Sequence, residues 1–520
     1  MGALAMKALP QGFRPYSWAP STGELARRTG LDPLEIVRFD GNVPAQPPPS
    51  ARPGTIAGSL ARTNEYAHGG FSELVGAIAE YAGVGPENIV LGAGADDLIL
   101  LCVRAYAGPG DRVAIAEEPT YPLYEIAAGL AGVTTEPCDK LSQGEAALTF
   151  SCRPNNPTGE LADLPEMRPL VVDEAYFEYS GDTVVEQIEN RVVVLRTFSK
   201  AFGLAGARVG YAIAEEETAA ELNRRQAPQP ISGLSAALAL AGLADPPDVE
   251  PQIEERERCA RALRALGLEP APSHANFLYV PLEEPEQVAA ALLRSGIVVR
   301  ALPGAMRFSI RNREDDDLLL EALARSLDRP APIAAAGGRR ARHLRSTAET
   351  RIRVRLALDG AGRVRVATGA GLYDHFLEQL AFHGGLDLVL EGVGDLETGA
   401  HHTAEDAALA FGEALDRALG DRRGIARYGD AVVPMDDGLA RAAVDLGGRP
   451  WAELRIEPDP GLASHMLQSL AQSGRLALHV EATGRDEHHV AEAAFKAVGR
   501  ALRGAVRREG SGLPSTKGRL

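Results

Sequence analysis

The feature of this sequence that most constrains its fold is a cassette of two adjacent histidines that occurs twice, each time at the start of an amphipathic helical pattern. The first copy is HHTAEDAALAFGEAL, from His401, and the second is HHVAEAAFKAVGRAL, from His488. Upstream of them, HFLEQLAFHGGLDLVLEG from His375 aligns with HMLQSLAQSGRLALHVEA from His465. A short two-fold repeat predicts a pseudo-symmetric α+β domain made of two copies of one β-α unit, rather than a solenoid.

The cassettes carry the residue types of a metal site. On a helix, Glu405 and Glu492 are each neighbours of both preceding histidines, at spacings of three and four residues. Two adjacent histidines project about 100° apart, so we expect the members of each pair to serve different metal ions. Imidazole with carboxylate, without thiolate, suits manganese, iron, zinc or nickel. The candidate ligands are His375, His401, His402, Glu405, His465, His488, His489 and Glu492. The alternative, solvated or capping histidines, is disfavoured because the whole cassette is repeated.

Composition limits what the rest of the chain can be. Its 520 residues predict two or three domains. The net charge of −17, from 54 basic and 71 acidic residues, disfavours nucleic acid and anionic membranes as main partners. The four cysteines have no CxxC spacing, and no apolar run approaches the length of a membrane span. We therefore expect a soluble, cytoplasmic protein without disulfides.

The chain divides at DRPAPIAAAGGRRARH, whose composition and lack of periodicity are typical of a linker. We predict domains over 1–328 and 343–520, joined by a linker over 329–342. Before the linker, short apolar strands such as RVAIAEE alternate with helical patterns such as FSELVGAIAEYAG, which predicts an α/β domain with a mainly parallel sheet. After it, ETRIRVRLALDGAGRVRVATG alternates polar and apolar residues around an Asp-Gly pair, which predicts a β-hairpin.

A series of motifs in the second region resembles a known family. TAET, GLYDHFLEQLAFHG, GDLETGAHHTAED, GIARYG, PMDD, DLGGRP, DEHHVAEAAFKAVGRAL and LPSTKG follow one another as in imidazoleglycerol-phosphate dehydratases, over residues 343–520. The resemblance implies two manganese sites on the candidate ligands named above. It also implies that Glu349, Arg427, Arg449, Ser515 and Lys517 contact the substrate, whose phosphate would accept charge-assisted hydrogen bonds from the cations.

The reaction that the resemblance implies removes water from imidazole glycerol phosphate and gives imidazole-acetol phosphate. The departing proton is bound to a carbon beside the ring and is not acidic, so metal ions would make the ring an electron sink while a carboxylate moves the proton. Glu405 and Glu492 are both candidates for that carboxylate, and both could be ligands only. The chain departs from the family at Gly399 and Ala400, where acidic residues are usual.

The first region carries a second set of motifs. They are NEYAHG, GAGADD after the strand NIVL, EEPTYPLY, CRPNNPTG, LVVDEAY, TFSKAFGLAGARVGY and MRFSI. In this order they resemble fold-type I pyridoxal-phosphate aminotransferases over residues 13–326, and the pattern is most similar to that of histidinol-phosphate aminotransferases. Pyridoxal 5′-phosphate is therefore the implied cofactor.

The aminotransferase resemblance implies a role for each motif. Lys200 would form the Schiff base with the cofactor and move protons, and Asp173 would pair with the pyridinium nitrogen. The other implied cofactor contacts are Asn156 and Tyr176 at the ring hydroxyl, Tyr121 on the ring face, and Ser199, Arg208 and the amides of Ala95 and Asp96 at the phosphate.

Three further residues carry implied roles in assembly and substrate binding. Tyr66 corresponds to a tyrosine that reaches the cofactor phosphate of a neighbouring subunit, which implies a dimer. Arg307 corresponds to the arginine that binds the carboxylate of glutamate, the usual amino donor, and Arg300 would contact the substrate phosphate. The stretch between these arginines is shorter than is usual in the family. The dehydratase family, by contrast, builds metal sites between subunits of large assemblies.

Both families act on imidazole phosphates of histidine biosynthesis, and their reactions are consecutive. The sequence thus favours a bifunctional enzyme. Its second region would dehydrate imidazole glycerol phosphate with the help of metal ions, and its first region would transaminate the product with glutamate to histidinol phosphate. Three alternatives stay open. The first region could aminate another keto acid or decarboxylate a phosphorylated amino acid. It could be a catalytically dead scaffold that dimerises the dehydratase, or the second region could be a metal-storage or sensing module.

Overall fold

A computed structural model describes residues 9–10, 13–51, 53–67, 69–330, 339–360 and 362–515. The chain forms two compact units, Met1–Ile333 and Ala334–Leu520. Most of the predicted linker, over 331–338, lies outside the described residues. Its last residues differ from the prediction, because the first strand of the second unit already begins at Arg340.

The N-terminal unit alternates strands and helices along most of its length. Its strands are β1 (Val37–Arg38), β2 (Ile89–Gly92), β3 (Arg112–Ile115), β4 (Thr134–Pro137), β5 (Leu148–Cys152), β6 (Leu170–Asp173), β7 (Val192–Thr197), β8 (Gly210–Ile213), β9 (Phe277–Pro281), β10 (Ile297–Val298), β11 (Arg300–Leu302) and β12 (Ala305–Ser309). Its helices are α1 (Thr22–Thr29), α2 (Pro53–Leu60), α3 (Ser72–Ala82), α4 (Ala95–Tyr106), α5 (Leu123–Ala131), α6 (Phe177–Ser180), α7 (Glu216–Arg225), α8 (Gly233–Ala244), α9 (Glu250–Ala265), α10 (Pro285–Arg294) and α11 (Arg313–Ser326).

The centre of this unit is a seven-stranded sheet in the order β2-β8-β7-β6-β5-β3-β4. Only β8 runs antiparallel to its neighbours, which confirms the predicted mainly parallel sheet. Strands β5, β6 and β7 are mostly apolar and are buried along their whole length, as expected where helices cover both faces. Their carboxyl ends all lie at one edge of the sheet, where α/β proteins usually bind ligands.

A smaller antiparallel sheet, in the order β11-β12-β9, follows in the same unit. Its register places Arg300 directly opposite Arg307, so both side chains project from the same face. Strands β1 and β10 form a separate parallel pair.

The C-terminal unit consists of the same succession of elements twice. Its strands are β13 (Arg340–Ser346), β14 (Thr350–Ala357), β15 (Val364–Ala367), β16 (Asp387–Gly394), β17 (Tyr428–Met435), β18 (Gly438–Asp445), β19 (Trp451–Glu457) and β20 (Ala477–Thr483). Its longer helices are α12 (Gly371–His383), α13 (His401–Leu419), α14 (Ala463–Ser473) and α15 (Glu487–Val506). The two sheets have equivalent orders, β13-β14-β16-β15 and β17-β18-β20-β19. The repeat seen in the sequence is therefore a repeat of the fold.

The helices of the two repeats are packed crosswise into one hydrophobic core. Helix α12 of the first repeat contacts α15 of the second, and α14 of the second contacts α13 of the first. The small residues of the helices permit this close packing: a Cβ added to Gly499 of α15 would lie 2.2 Å from the carbonyl oxygen of Leu380 in α12. This crossing decides which histidines meet.

The predicted hairpin after the linker is wrong. Strands β14 and β15 are not paired, because β16 lies between them, antiparallel to β14 and parallel to β15. The Asp-Gly pair, Asp359 and Gly360, instead lies in a loop that packs against another strand. A Cβ at Gly360 would lie 2.3 Å from the backbone nitrogen of Asp387, so glycine allows this loop to approach the start of β16. The hairpins that the structure does contain in these repeats are β13–β14 and β17–β18.

Among the described residues, no helix is both long and apolar enough to cross a bilayer.

Candidate active sites

The first candidate site is a cavity of about 140 Å³ at the carboxyl edge of the large sheet. Strands β5 and β6 end at it with Cys152 and Asp173, and the chain reaches Lys200 three residues after β7 ends. All but one of the cofactor contacts implied by the sequence line this cavity: Ala95, Asp96, Tyr121, Asn156, Asp173, Tyr176, Ser199, Lys200 and Arg208. The exception, Tyr66, is 79% exposed and lines a different cavity beside Arg62.

Asp173 is a buried carboxylate with two hydrogen-bond donors. Its Oδ2 accepts a hydrogen bond from the Tyr124 hydroxyl at 2.8 Å, and its Oδ1 accepts one from the Ala175 amide at 3.1 Å. Burial raises the pKa of Asp173 to about 6, against the lowering effect of these donors. Such a carboxylate is suited to a cationic ring nitrogen, which would restore its ionised form. Tyr124 is part of the EEPTYPLY motif, but nothing in the sequence distinguished it from Tyr121 as a partner of Asp173.

Lys200 has the properties of a nucleophilic amine. Burial, and next the positive charge of Arg307, lower the pKa of Lys200 to about 8. Its Nζ lies 5.5 Å from the centre of the Tyr176 ring, and the Tyr176 hydroxyl accepts a hydrogen bond from Asn42 Nδ2 at 3.1 Å. Asn42 was not among the residues predicted from the sequence.

The start of α4 and Arg208 form an anion cradle. Arg208 Nη2 donates to Asp96 Oδ2 at 3.1 Å, and the Tyr121 hydroxyl donates to Asp96 Oδ1 at 3.0 Å, so each oxygen of this carboxylate has a donor. A Cβ at Gly210 would lie 2.8 Å from the Ala95 amide nitrogen, so only glycine lets β8 lie this close to the start of the helix. Free amides at a helix start beside a guanidinium and Ser199 fit a phosphate group. The residues of this cavity thus fit pyridoxal 5′-phosphate.

Arg307 reaches the same region from the small sheet. It is buried and donates to Asn156 Oδ1 and, at 3.0 Å, to the carbonyl oxygen of Asp40. Arg300, opposite it, is exposed and lies outside the residues that line the cavity. The structure therefore brings Arg307 to Asn156, a predicted cofactor residue, although Arg307 does not itself line the cavity, and it leaves Arg300 exposed to solvent.

The second candidate site consists of two groups of three side chains in the C-terminal unit. In the first, Glu492 Oε2 lies 3.2 Å from His488 Nε2 and 3.6 Å from His375 Nε2, and the two imidazole rings are parallel with centres 5.8 Å apart. Asp486 accepts hydrogen bonds from the backbone amides of His488 and His489, so the N-cap of α15 fixes the start of the cassette.

The other group is its pseudo-symmetric counterpart. Glu405 Oε2 lies 3.3 Å from His465 Nε2 and 3.6 Å from His401 Nε2. In each group, three potential ligand atoms lie within 4.8 Å of one another. The single histidine comes from one repeat and the cassette from the other, because α12 contacts α15 and α14 contacts α13. Two nitrogens and one oxygen leave room for further ligands on a borderline divalent ion.

The second histidine of each cassette faces different acids, as the helical geometry predicts. His402 Nδ1 lies 3.0 Å from Asp395 Oδ2 and 3.4 Å from Glu349 Oε2. His489 Nδ1 lies 2.7 Å from Asp437 Oδ1, and these hydrogen bonds to aspartate raise the pKa of both imidazoles. Asp395 and Asp437 were not predicted, although the motifs GDLETG and PMDD contain them. The bond to Asp395 leaves Nε2 of His402 available to another ligand, whereas Nε2 of His489 also lies 3.6 Å from Asp436 Oδ2.

One difference breaks the symmetry of the two glutamates. Lys496 Nζ lies 2.7 Å from Glu492 Oε1, whereas the equivalent position of the first repeat, four residues after Glu405, is Leu409. Glu492 is also the more buried: its side chain is 9% exposed, against 35% for Glu405. The two carboxylates are therefore not equivalent in their charge environment.

The implied substrate contacts lie in several parts of this unit. Arg427 makes a forked ion pair with Asp445, at 2.7 and 3.0 Å, and donates to the carbonyl oxygen of Pro514 at 2.9 Å, which brings the following residue, Ser515, close to it. Glu349 instead lies at His402, and Arg449 is exposed. Lys517 lies outside the described residues.

Known proteins match the two units separately. The profile of the family "Aminotransferase class I and II" matches residues 36–323, and that of "Imidazoleglycerol-phosphate dehydratase" matches residues 368–502. The imidazoleglycerol-phosphate dehydratase of Methanothermobacter thermautotrophicus is 49% identical over 190 residues, covering 35% of this chain and 98% of its own length. That of Salinispora arenicola is 50% identical over 204 residues, covering 35% of this chain and 99% of its own length.

Solved structures resemble the N-terminal unit. The histidinol-phosphate aminotransferase of Sinorhizobium meliloti in complex with pyridoxal 5′-phosphate is 28% identical, with a TM-score of 0.53, over 60% of this chain and 96% of its own. The histidinol-phosphate aminotransferase of Clostridium acetobutylicum is similar in fold, with 24% identity and a TM-score of 0.50, over 56% of this chain and 99% of its own.

Proposed function

Since the chain belongs to the class I and II aminotransferases through residues 36–323 and to the imidazoleglycerol-phosphate dehydratases through residues 368–502, we propose that it performs two consecutive steps of histidine biosynthesis. It is a bifunctional enzyme, a lyase in its C-terminal unit and a transferase in its N-terminal unit. The proposed substrates are imidazole glycerol phosphate for the first step, and imidazole-acetol phosphate with glutamate for the second.

The observation that carries the transferase proposal is the cavity around Lys200. When bound there, pyridoxal 5′-phosphate supplies an electron sink for the substrate Cα. Of the residues that line the cavity, Asp173 would hold the charge of the ring nitrogen, Asn156 and Tyr176 the ring hydroxyl, and the start of α4 with Ser199 and Arg208 the phosphate. Lys200, whose pKa is about 8, would hold the cofactor through its aldehyde and would move the proton at the substrate carbon.

Recognition of the two substrates in the transferase site is assigned to two arginines. Arg307 binds the carboxylate of glutamate, for which a planar guanidinium fork is well suited. Arg300, on the same face of the small sheet and closer to solvent, binds the phosphate of the imidazole substrate. Tyr66 is assigned to the cofactor phosphate of a second copy. Its 79% exposure, away from the cavity of its own chain, supports a dimer.

The observation that carries the dehydratase proposal is the pair of histidine and glutamate groups. We assign manganese to both, with His375, His488 and Glu492 at one ion and His401, Glu405 and His465 at the other. His402 and His489 point away from these groups, so they are assigned to ions shared with other copies in a larger assembly. Manganese bound there would supply a Lewis acid to the imidazole ring. Glu405 and Glu492 are the candidate proton carriers.

Phosphate binding in the dehydratase site is assigned to Arg427, Arg449, Ser515 and Lys517, and Glu349 is assigned to the substrate beside His402. Asp445 already holds the guanidinium of Arg427 in place before a phosphate arrives. The proposed compartment is the cytoplasm, which the four free cysteines support, since Cys102, Cys152 and Cys259 are buried.

Two assays test the assigned substrates. The purified protein, given imidazole-acetol phosphate and glutamate, should form histidinol phosphate and 2-oxoglutarate. If the protein converts another keto acid but not imidazole-acetol phosphate, or releases carbon dioxide from a phosphorylated amino acid, this substrate assignment is wrong. The dehydration of imidazole glycerol phosphate should stop after treatment with a chelator and return with manganese. Dehydration that survives complete metal removal would exclude the metal-dependent assignment.

A further inference from the structure

A cavity of about 640 Å³ lies in the C-terminal unit, away from the histidine and glutamate groups. It lies between the end of α12 with the turn at 382–385, the last turns of α15, the loop at 358–360 and Arg339. His488 is at the start of α15, and Arg500 follows it by twelve residues, which corresponds to about 18 Å along a helix. The cavity and the proposed metal groups are thus at opposite ends of α15.

The walls of this cavity are strongly basic. Five arginines line it, against one acidic side chain, Asp359: Arg339, Arg500, Arg503, Arg507 and Arg508. The whole chain carries a net charge of −17, so this concentration of positive charge is local. A concave basic surface raises the local concentration of anions.

Some of these charges have structural partners. Arg339 donates to Asp359 Oδ2 at 3.2 Å and also to the carbonyl oxygen of Val506, so it caps the end of α15. Arg507 pairs with Glu509. Stabilisation of the helix end therefore accounts for part of the cluster, but not for all of it.

Arg500 and Arg503 differ from the others. Both are exposed, and they are three residues apart, hence neighbours on one face of α15. Within the part of the chain that the structure describes, no hydrogen bond or ion pair is recorded for either side chain. Like charges at this spacing destabilise a helix. An anion between the two guanidinium groups would remove that repulsion.

An aromatic ring lies beside these charges. Phe382 is 60% exposed, and its ring meets the His383 ring edge-on with centres 5.3 Å apart. Burial lowers the pKa of His383, and the charges of Lys496 and Arg500 lower it further against the opposing charge of Glu492. Gly385 has a φ of +64°, which favours glycine, and a Cβ there would be in ordinary contact with Arg503 Nε at 3.4 Å, so the Arg503 side chain lies against this turn.

We propose that this cavity binds a nucleoside di- or triphosphate. Arg500 and Arg503 contact the phosphate chain, and the Phe382 ring packs against the base. Guanidinium forks match phosphate oxygens, and an exposed aromatic ring offers a stacking surface for a flat heterocycle. Neither Arg427 nor Arg449 lines the cavity, so it has a different set of residues from the proposed imidazole-phosphate site, although the Arg427 backbone amide donates to the carbonyl oxygen of Ala505 in the same last turns of α15.

Calorimetric titration of the holoenzyme with magnesium-saturated ATP tests this site. We expect binding to the wild-type protein and at least about tenfold weaker binding to the double variant R500A/R503A, as for the loss of one or more charge-assisted hydrogen bonds. The matched control is R224A/R225A, which removes two exposed last-turn arginines from α7 and changes the net charge equally. Phe382→Ala should weaken the binding of ATP and leave that of inorganic tripolyphosphate unchanged.

Each of the other outcomes would overturn the proposal. The first is that the wild-type protein does not bind ATP. The second is that ATP binding is weakened equally in R500A/R503A and R224A/R225A, and the third is that imidazole glycerol phosphate displaces ATP. A Phe382→Ala variant that binds ATP as the wild type does would exclude the base contact. Dehydration at saturating substrate should be unchanged in R500A/R503A, which shows that the variant is folded.

Discussion

His465 and Glu405 belong to different repeats, yet His465 Nε2 lies 3.3 Å from Glu405 Oε2. The same exchange occurs between His375 and Glu492 at 3.6 Å. Each proposed metal group is therefore built across the two repeats, and neither repeat alone contains a complete set. Because each single histidine completes the group of the other repeat, both copies of the repeat need to carry one.

The crosswise arrangement predicts the effect of removing one single histidine. His465→Ala should release the ion held with His401 and Glu405, and about half of the bound manganese should be lost, with little dehydration left. Metal content by mass spectrometry and the dehydration rate check this. His479→Ala, an exposed histidine of β20 outside both groups, is the control and should change neither quantity. Full metal content in His465→Ala would contradict the crosswise assignment.

The lowered pKa of Lys200 predicts how the apoenzyme takes up its cofactor. The neutral amine is the nucleophile, so the rate of pyridoxal-phosphate capture should rise with pH and level off above about 8, where the amine is mostly deprotonated. Burial is the main cause and the charge of Arg307 the next, so Arg307→Met should move the midpoint to higher pH. Absorbance changes after rapid mixing measure the rate. A midpoint near the ordinary lysine value of 10.5 would disprove the buried-amine account.

The hydrogen bond from Tyr124 to Asp173 predicts a shift in the pH profile of transamination. The hydroxyl stabilises the ionised carboxylate, so Tyr124→Phe should raise the pKa of Asp173 further above about 6. Activity in Tyr124→Phe should fall about tenfold at pH 6 and much less at pH 8. Tyr106→Phe, at the end of α4 and outside the cavity, is the control. An equal loss at both pH values would indicate a packing effect instead.

The fork between Arg427 and Asp445 predicts a defect in substrate binding. Arg427→Lys keeps the charge but loses the planar pair of donors, so KM for imidazole glycerol phosphate should rise about tenfold or more, with a smaller change in kcat. Steady-state kinetics of dehydration separate the two constants. Arg441→Ala, an exposed arginine of β18, should leave both unchanged. An unchanged KM in Arg427→Lys would show that Arg427 does not bind the substrate phosphate.

Sequence was sufficient for features that depend on local pattern. The cassettes of His401 and His488 do begin helices, and the residues of the Lys200 cavity meet because parallel strands end at one edge of a sheet. Divergence of adjacent histidines followed from helical geometry alone, and His402 and His489 indeed face acids outside the two groups.

What the sequence could not supply depends on tertiary packing. The Asp-Gly pair at 359–360 predicted a hairpin, but the local pattern could not reveal that β16 lies between β14 and β15. The exchange of His375 and His465 between repeats requires the crossing of the helices. Tyr124, Asp395 and Asp437 escaped prediction because each acts by orienting or polarising another side chain, and such partners have no spacing of their own.

One coupled assay tests most directly that this chain performs both steps. Imidazole glycerol phosphate and glutamate are given to the wild-type protein and to the variants Lys200→Ala and His401→Ala, and the products are identified by mass spectrometry. The wild type should form histidinol phosphate, Lys200→Ala should accumulate imidazole-acetol phosphate, and His401→Ala should leave imidazole glycerol phosphate unchanged while still converting added imidazole-acetol phosphate. A wild-type protein that stops at imidazole-acetol phosphate, or a Lys200→Ala variant that still makes histidinol phosphate, would contradict the account.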